Sequence, residues 1–389
     1  MPDWNQIFML DPQVHFLNHG SFGATPRPVF NTYQEWQRRL ERQPVLFLGR
    51  EIDRHLLTAR TALAEFLRVD PLDLVLIPNA THGANIVARS LPLQPGDEVL
   101  TSDHEYGACI YAWEFACRQR GARLVKQPLT FPFSSSTSMA DEFWQAVNLN
   151  TRAIFLSHIT SPTALRLPVE EICARARQAG ILTVVDAAHA PGQIPLDLTE
   201  IGADFTFGNC HKWMLAPKGA AFLHTRREAQ PFIQPLIVSW GAGATPETTT
   251  GSRFVDLLQW TGTHDPAACL SVPAALEFMR DNDWPAVRAQ CRHLLEEALQ
   301  QMTELTGLPP AVPIDSAFYT QMAVAPLPAD TDLVKLKARL YDEFQVEIPM
   351  IAWNDRKFAR ISIQAYNTPQ DVEALITGMR ALLPQVTLR

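Results

Sequence analysis

A chain of 389 residues, 47% hydrophobic and 19% charged, exceeds what one hydrophobic core usually serves, so two domains are expected. A formal net charge of −8 lacks the basic footprint of a binder of nucleic acid or of an anionic membrane. No run approaches the roughly 18 apolar residues of a membrane span, and Met1-Pro-Asp-Trp4 does not open like a signal peptide.

Cysteines at 109, 117, 173, 210, 269 and 291 form no CxxC pair. Neither a disulfide framework nor a structural metal site is expected, and a reducing cytoplasm fits.

Apolar residues at helical spacing predict a helix over 56–67, closing near Asp70-Pro71. Residues 74–77 read as a buried strand, 84–91 as a helix and 98–101 as a strand. A helix over 110–120 stops at Gly121; a strand at 123–126 and a polar loop at 131–138 (FPFSSSTS) follow. Next come a strand at 153–157, a helix at 169–178 stopped by Gly180, and a near-continuous apolar strand at 181–185. Strands at 204–208 and 219–224 complete the series, and 241–252 (GAGATPETTTGS) reads as a mobile loop. This alternation predicts a mostly parallel α/β sheet.

Beyond Asp265 the texture changes to helices at 267–279 and 284–306, then strands and a helix at 332–344. A smaller C-terminal α/β domain is therefore expected to begin around 256–266. The expected division is a large domain over 21–258 and a small one over 259–389, joined by the N-terminal segment 1–20.

Chemistry concentrates between Val184 and Lys218. Asp186 stands at the carboxyl end of a buried strand, where open α/β sheets place their ligands. Lys212 follows another strand-like stretch, flanked by Cys210, Trp213, Met214 and Leu215. The lysines at 126, 335, 337 and 357 lie in charged or strand-end settings, and Lys218 lies in a turn, Ala216-Pro-Lys-Gly219. A lysine desolvated like Lys212 loses basicity and becomes a competent amine nucleophile or base.

Val184-Val-Asp186-Ala-Ala-His189-Ala-Pro-Gly192, followed by Gly208-Asn-Cys-His-Lys212-Trp213, resembles the class V aminotransferase family, a fold-type I group dependent on pyridoxal 5′-phosphate (PLP). Within it the motifs are most similar to the isopenicillin N epimerase-like subgroup, and C–S lyases share the pattern. The resemblance runs from Phe16-Leu-Asn-His-Gly-Ser-Phe-Gly23 to Tyr366-Asn367-Thr368. It implies a large domain with a mostly parallel seven-stranded sheet, a smaller C-terminal α/β domain, and a homodimer with active sites at the subunit interface.

The same resemblance implies site roles. Lys212 would hold PLP as a Schiff base, Asp186 would pair with the pyridine nitrogen, and His189 would lie beside the ring hydroxyl. Ala80, Thr81 and His82, at a strand-to-helix turn, would cup the phosphate with Asn209 and His211. Thr263 would reach the phosphate of a neighbouring subunit. A ring from His104 or Tyr106 would cover the pyridine face, with His104 favoured and Tyr106 then an acid on the side opposite Lys212. Arg360, on a strand-like stretch, suits bidentate capture of a substrate α-carboxylate. Asn18, His19, Gly20 and Ser21 are expected to form part of the substrate mouth.

The segment 347–357 (EIPMIAWNDRK) carries no cysteine, unlike the corresponding loop of cysteine desulfurases, so persulfide chemistry by that route is not expected. The expected reaction is epimerisation at the α-carbon of an amino acid or derivative, with β-elimination or transamination as alternatives. A nicotinamide-dependent Rossmann oxidoreductase lacks its G-x-G-x-x-G fingerprint here. A catalytically silent scaffold would not need Asp186, Lys212 and Arg360 together.

Overall fold

The computed structural model describes residues 3–130 and 132–387; position 131 of the expected polar loop lies outside them. The strands in chain order are β1 (His15–Phe16), β2 (Leu74–Ile77), β3 (Glu98–Ser102), β4 (Arg123–Gln127), β5 (Thr151–Ser157), β6 (Leu182–Asp186), β7 (Phe205–Asn209), β8 (Ala221–Thr225), β9 (Met322–Leu327), β10 (Val346–Glu347), β11 (Met350–Trp353) and β12 (Arg356–Ser362). Seven form one sheet in the order β2-β8-β7-β6-β5-β3-β4, in which β8 runs antiparallel to both its neighbours and the remaining pairs are parallel. This is the mostly parallel seven-stranded sheet expected from the sequence.

The strands read as apolar runs because both faces are covered. Val75, Ile77, Phe155, Val184, Phe205, Phe207 and Leu223 belong to one core with the helices Ala80–Ser90 and Gly107–Arg120. Their alternates Leu74, Leu76, Ile154, Leu156, Val185 and Phe222 belong to a second, larger core. Parity along a strand sets which side a residue faces. Asp186 continues the parity of Val184, and Asn209 that of Phe207, so both face the side carrying those two helices.

A second sheet, β11-β12-β9, is antiparallel. The N-terminal segment crosses to this region: β1 pairs in parallel with β10, the Leu17 N–H donates to Glu347 O (3.0 Å), and Asn18 bridges to Ser362. Among the described residues no helix is long and apolar enough to cross a membrane.

Several elements differ from expectation for identifiable reasons. The stretch 131–138 is not all loop: a helix, Ser136–Trp144, starts inside it, because Ser135 and Ser138 close a reciprocal capping box. The expected helix 267–279 is two, Ala267–Leu270 and Val272–Asp281, and Pro273, lacking an N–H, stands in the first turn of the second. In the segment 241–252 the Asp256 carboxylate accepts from Thr249 Oγ1 (2.6 Å), Thr250 N (2.8 Å) and Thr250 Oγ1 (2.6 Å), so its C-terminal half is anchored. The helix Pro369–Val386 has no counterpart in the expected elements, although Thr368 and Asp371 form its capping box.

Gly192 has φ +84°, and a β-carbon there would sit 2.2 Å from Trp213 O. Gly180 has φ +69° but open space around it. Gly192→Ala is therefore expected to destabilise by about 2–4 kcal/mol and Gly180→Ala by about 1 kcal/mol, read from denaturant midpoints. Equal shifts would show that backbone conformation alone, and not contact with the Trp213 carbonyl, sets the cost.

Candidate active site

Ser157, Asp186 and Asn209 end β5, β6 and β7, and all three line one cavity at the carboxyl edge of the sheet. Thr81, Tyr106, His189, His211 and Lys212 line the same cavity.

Lys212 sits on the connection from β7 to β8, which folds back on itself. The Cys210 N–H donates to Ala220 O (3.0 Å), Leu215 to Lys212 O (3.1 Å) and Ala216 to Cys210 O (3.0 Å). Trp213, Met214, Leu215 and Ala216 are wholly buried, and Leu215 takes a left-handed φ of +65°. Two glycines press against this connection. A β-carbon on Gly23 (φ +71°) would meet His211 O at 2.1 Å, as one on Gly192 would meet Trp213 O. Only a bare backbone fits at either place.

The amine of Lys212 lies 3.1 Å from His189 Nε2. Burial, aided by the Arg360 charge and opposed by Asp186, lowers its pKa to about 8. Asp186 is shifted the other way, upward, chiefly by burial. Its Oδ1 accepts from Ala188 N (2.7 Å), and Cys109 Sγ is 3.5 Å from Oδ2. One amide and one thiol compensate a buried carboxylate weakly, and a protonated ring nitrogen would complete it. Burial, then the Lys212 and Arg360 charges, hold His189 far below the usual histidine range.

At the other end, the helix Ala80–Ser90 points its N-terminus at the cavity. The Ala80 N–H donates to Asn209 Oδ1 (2.9 Å), joining that turn to β7. Of the expected Ala80-Thr81-His82 cup, Ala80 and Thr81 line the cavity. His82 does not line it, and its N–H donates to the Asn79 cap (2.9 Å). His211 lines the cavity with Nδ1 3.2 Å from Ala220 O. A carbonyl only accepts, so Nδ1 carries the proton, and Nε2 donates to an anion only once the ring is protonated. Burial lowers that pKa to about 4, and a bound dianion would raise it again.

Arg360, 5% exposed on β12, donates from Nη1 to Ser161 O (2.5 Å) and from Nη2 to Ser21 Oγ (3.1 Å). Ser21 and Ser161 line the cavity, and Arg360 Nε has no hydrogen-bond partner among the described residues. Burial lowers the Arg360 pKa to about 10. Asn18 does not line the cavity; it accepts from Ser21 Oγ (2.6 Å) and donates to Glu347 Oε1 (2.9 Å), standing behind the arginine. His19, also expected at the mouth, is wholly buried beneath the lysine connection. Its Nδ1 meets Tyr366 Oη (2.9 Å) and its Nε2 meets Lys212 O (3.2 Å), and burial lowers its pKa to about 3.

The expectation that His104 covers the pyridine face is corrected. His104 is wholly buried away from the cavity, with Nδ1 2.7 Å from Thr163 Oγ1, Nε2 2.8 Å from Leu129 O, and its ring 4.2 Å from that of Trp353. Tyr106, 46% exposed, is the ring of this turn that lines the cavity. Thr263 is exposed on the loop after the helix Arg253–Gln259 and lines no part of the cavity within one chain.

Ser21, expected at the mouth, does line the cavity, and residues not singled out from sequence include Phe22, Asn79, Cys109, Ser157 and Ser161. Buried Glu105 was also missed; it accepts from Ser102 Oγ (2.6 Å), Ser157 N (2.9 Å) and Ser157 Oγ (2.5 Å) and so ties the Tyr106 turn to β5. Burial pushes its pKa up to about 7. The adjacency Glu105-Tyr106 was the available signal, but its serine partners lie on separate strands.

An amine of lowered basicity, a weakly compensated buried carboxylate and a helix N-terminus facing one cavity suit a phosphorylated, protonated pyridine aldehyde. Comparisons with known proteins agree. The profile "Aminotransferase class-V" matches residues 22–325. The isopenicillin N epimerase of Amycolatopsis lactamdurans is 35% identical over 96% of both chains. A putative L-cysteine desulfhydrase of Oryza sativa subsp. japonica is 29% identical over 94% of this chain and 83% of its own. The apo cysteine desulfurase of Thermococcus onnurineus NA1 superposes with a TM-score of 0.83 over 99% of each chain at 18% identity, which bears on the fold alone. The chain belongs to the class-V aminotransferase family and is a PLP-dependent enzyme of fold type I.

Proposed function

We propose that this enzyme moves a proton at the α-carbon of an amino acid or amino-acid derivative, with epimerisation as its reaction. One observation carries the reading. Arg360 is a buried cation whose only hydrogen-bond partners among the described residues are two serines, and the amine of Lys212 belongs to the same site. A substrate carboxylate supplies the missing countercharge. Bound PLP withdraws electrons from the substrate's α-carbon and makes its C–H bond acidic.

In this reading Lys212 would hold the cofactor through Nζ and would move the Cα proton on its own face. Asp186 would pair with the pyridine nitrogen and keep it protonated, and His189 would stand beside the ring hydroxyl. Ala80, Thr81, Asn209 and His211 receive the phosphate. Arg360 holds the α-carboxylate, with Asn18 and Ser21 fixing the guanidinium from behind. Tyr106 replaces His104 beside the ring and bears the proton for the face opposite Lys212. The similarity to isopenicillin N epimerase supports this two-sided reading.

A second reading, β-elimination by a C–S lyase, is favoured by the desulfhydrase relative and needs only Lys212 on one face, with an acid near the leaving group.

The same proposal divides the chain into domains at 21–258 and 259–389, joined by segment 1–20. It also includes a homodimer, which would place Thr263 at the partner's phosphate. A cytoplasmic setting accords with six free cysteines.

Light scattering is expected to give twice the chain mass; a monomer with full activity would remove Thr263 from the site. Tyr106→Phe is expected to keep one-sided Cα exchange in deuterated water while epimerisation falls about 10²- to 10³-fold. Retained epimerisation, or keto acid release without an acceptor from the wild type, would overturn the leading reaction. Arg360→Lys is expected to raise KM for carboxylate-bearing substrates about tenfold to a hundredfold, because a point charge replaces a bidentate fork.

A further inference from the structure

We propose that Trp213 is a positioning residue that fixes the proton of His189 on Nε2, so that this imidazole donates to the Lys212 amine and holds it in its neutral, nucleophilic form. The chemical use of that amine rests on the function proposed above; the protonation pattern does not.

The geometry is a three-member line. Trp213 Nε1 lies 3.2 Å from His189 Nδ1, and His189 Nε2 lies 3.1 Å from Lys212 Nζ. An indole N–H is a donor only. His189 Nδ1 must therefore present its lone pair to Trp213, and a neutral imidazole then carries its single proton on Nε2. Nε2–H faces Lys212 Nζ, which satisfies it only by accepting. An ammonium accepts nothing, so protonating Lys212 would set two donors against each other in a buried place. No bond is broken in this arrangement; the proton stays on His189 and the amine keeps its electron pair.

The alternatives are closed by packing. Trp213 is wholly buried, its ring lies 4.9 Å from that of His19, and Gly192 abuts its carbonyl. The main chain of His189 is held as well: its carbonyl accepts from Gln193 Nε2 (2.8 Å), and Gln193 Oε1 accepts from Thr320 Oγ1 (2.5 Å). The groups whose charges bear on His189 are Lys212, Arg360, His19 and His211, and all four disfavour a second proton on its ring. Those bearing on Lys212 are Arg360, Asp186 and Cys109, with His189 in direct contact. Asp186 and Cys109 favour the ammonium, against which the Trp213–His189 pair acts.

Two measurements test this. Two-bond 1H–15N spectra of cofactor-stripped protein labelled at histidine, with the His189 signals assigned by their loss in His189→Gln, are expected to show the Nε2–H tautomer. An Nδ1–H or doubly protonated ring in the wild type overturns the proposal, whatever any variant does. Second, capture of added PLP is followed by its visible absorbance against pH. Capture needs the neutral amine, so the wild-type rate should rise through pH about 8. In Trp213→Phe the His189 proton is free to move to Nδ1, and Nε2 then accepts from the ammonium. The midpoint is expected to move up by about one pH unit, a tenfold slower capture at lower pH. A variant with the wild-type circular dichroism spectrum and an unmoved midpoint overturns the proposal. If Trp213→Phe does not fold, the wild-type tautomer decides alone. If the wild type captures no PLP, the proposed function fails while the histidine spectrum still decides the tautomer.

Discussion

Two cations meet at one crevice: Lys212 lines the cavity and Arg360 bonds Ser21 and Ser161 of its wall, and among the described residues Asp186 is the only carboxylate of that lining. Lys212 loses basicity because it is desolvated and because Arg360 repels a second charge nearby. Arg360 stays buried with two serines as its hydrogen-bond partners. Such a site has a standing electrostatic debt that anions settle. A phosphorylated cofactor and a carboxylate-bearing substrate are both anionic, so the deficit favours the two ligands the chemistry requires. The buried histidines follow from the same field: His19, His189 and His211 all lose basicity through burial and neighbouring positive groups. They serve as oriented hydrogen-bonding rings rather than as further charges.

Much of the sheet was legible because most of its strands are short apolar runs, and glycines such as Gly121 and Gly180 mark where neighbouring helices stop. Asp186 and Lys212 were legible because a charged residue among buried neighbours contradicts its surroundings. What escaped depended on contacts between distant segments. Nothing local to His104 says that Thr163 and Leu129 will take both its ring nitrogens and leave Tyr106 at the cavity. His19 stands in a motif near the N-terminus, but its burial depends on Tyr366 and on the main chain of Lys212. Ser161 is unremarkable until Arg360 donates to it. The helices at 136–144 and 369–386 carried local capping signals in Ser135/Ser138 and Thr368/Asp371.

Cofactor and fold restrict the chemistry without selecting the reaction. Epimerisation, elimination and transamination share an amine, a carboxylate clamp and an acidic partner for the ring. They differ in which group delivers the next proton and to which atom. In the proposed reading that difference would fall on Tyr106 and on the groups at the cavity mouth, where Phe22 is 73% exposed. Loops and segment ends can change there while the sheet behind them stays fixed.

The clamp on Arg360 joins residues from opposite ends of the chain: Ser21 and Asn18 from the N-terminal segment, Glu347 and Arg360 from the C-terminal part. The principal sheet, by contrast, is complete at Thr225. During synthesis the sheet and its lysine connection can assemble while the carboxylate clamp does not yet exist. A nascent or truncated chain would therefore have the means to take up cofactor before it could hold a substrate. If Arg360 holds the substrate as proposed, substrate capture waits for β12, the last strand delivered.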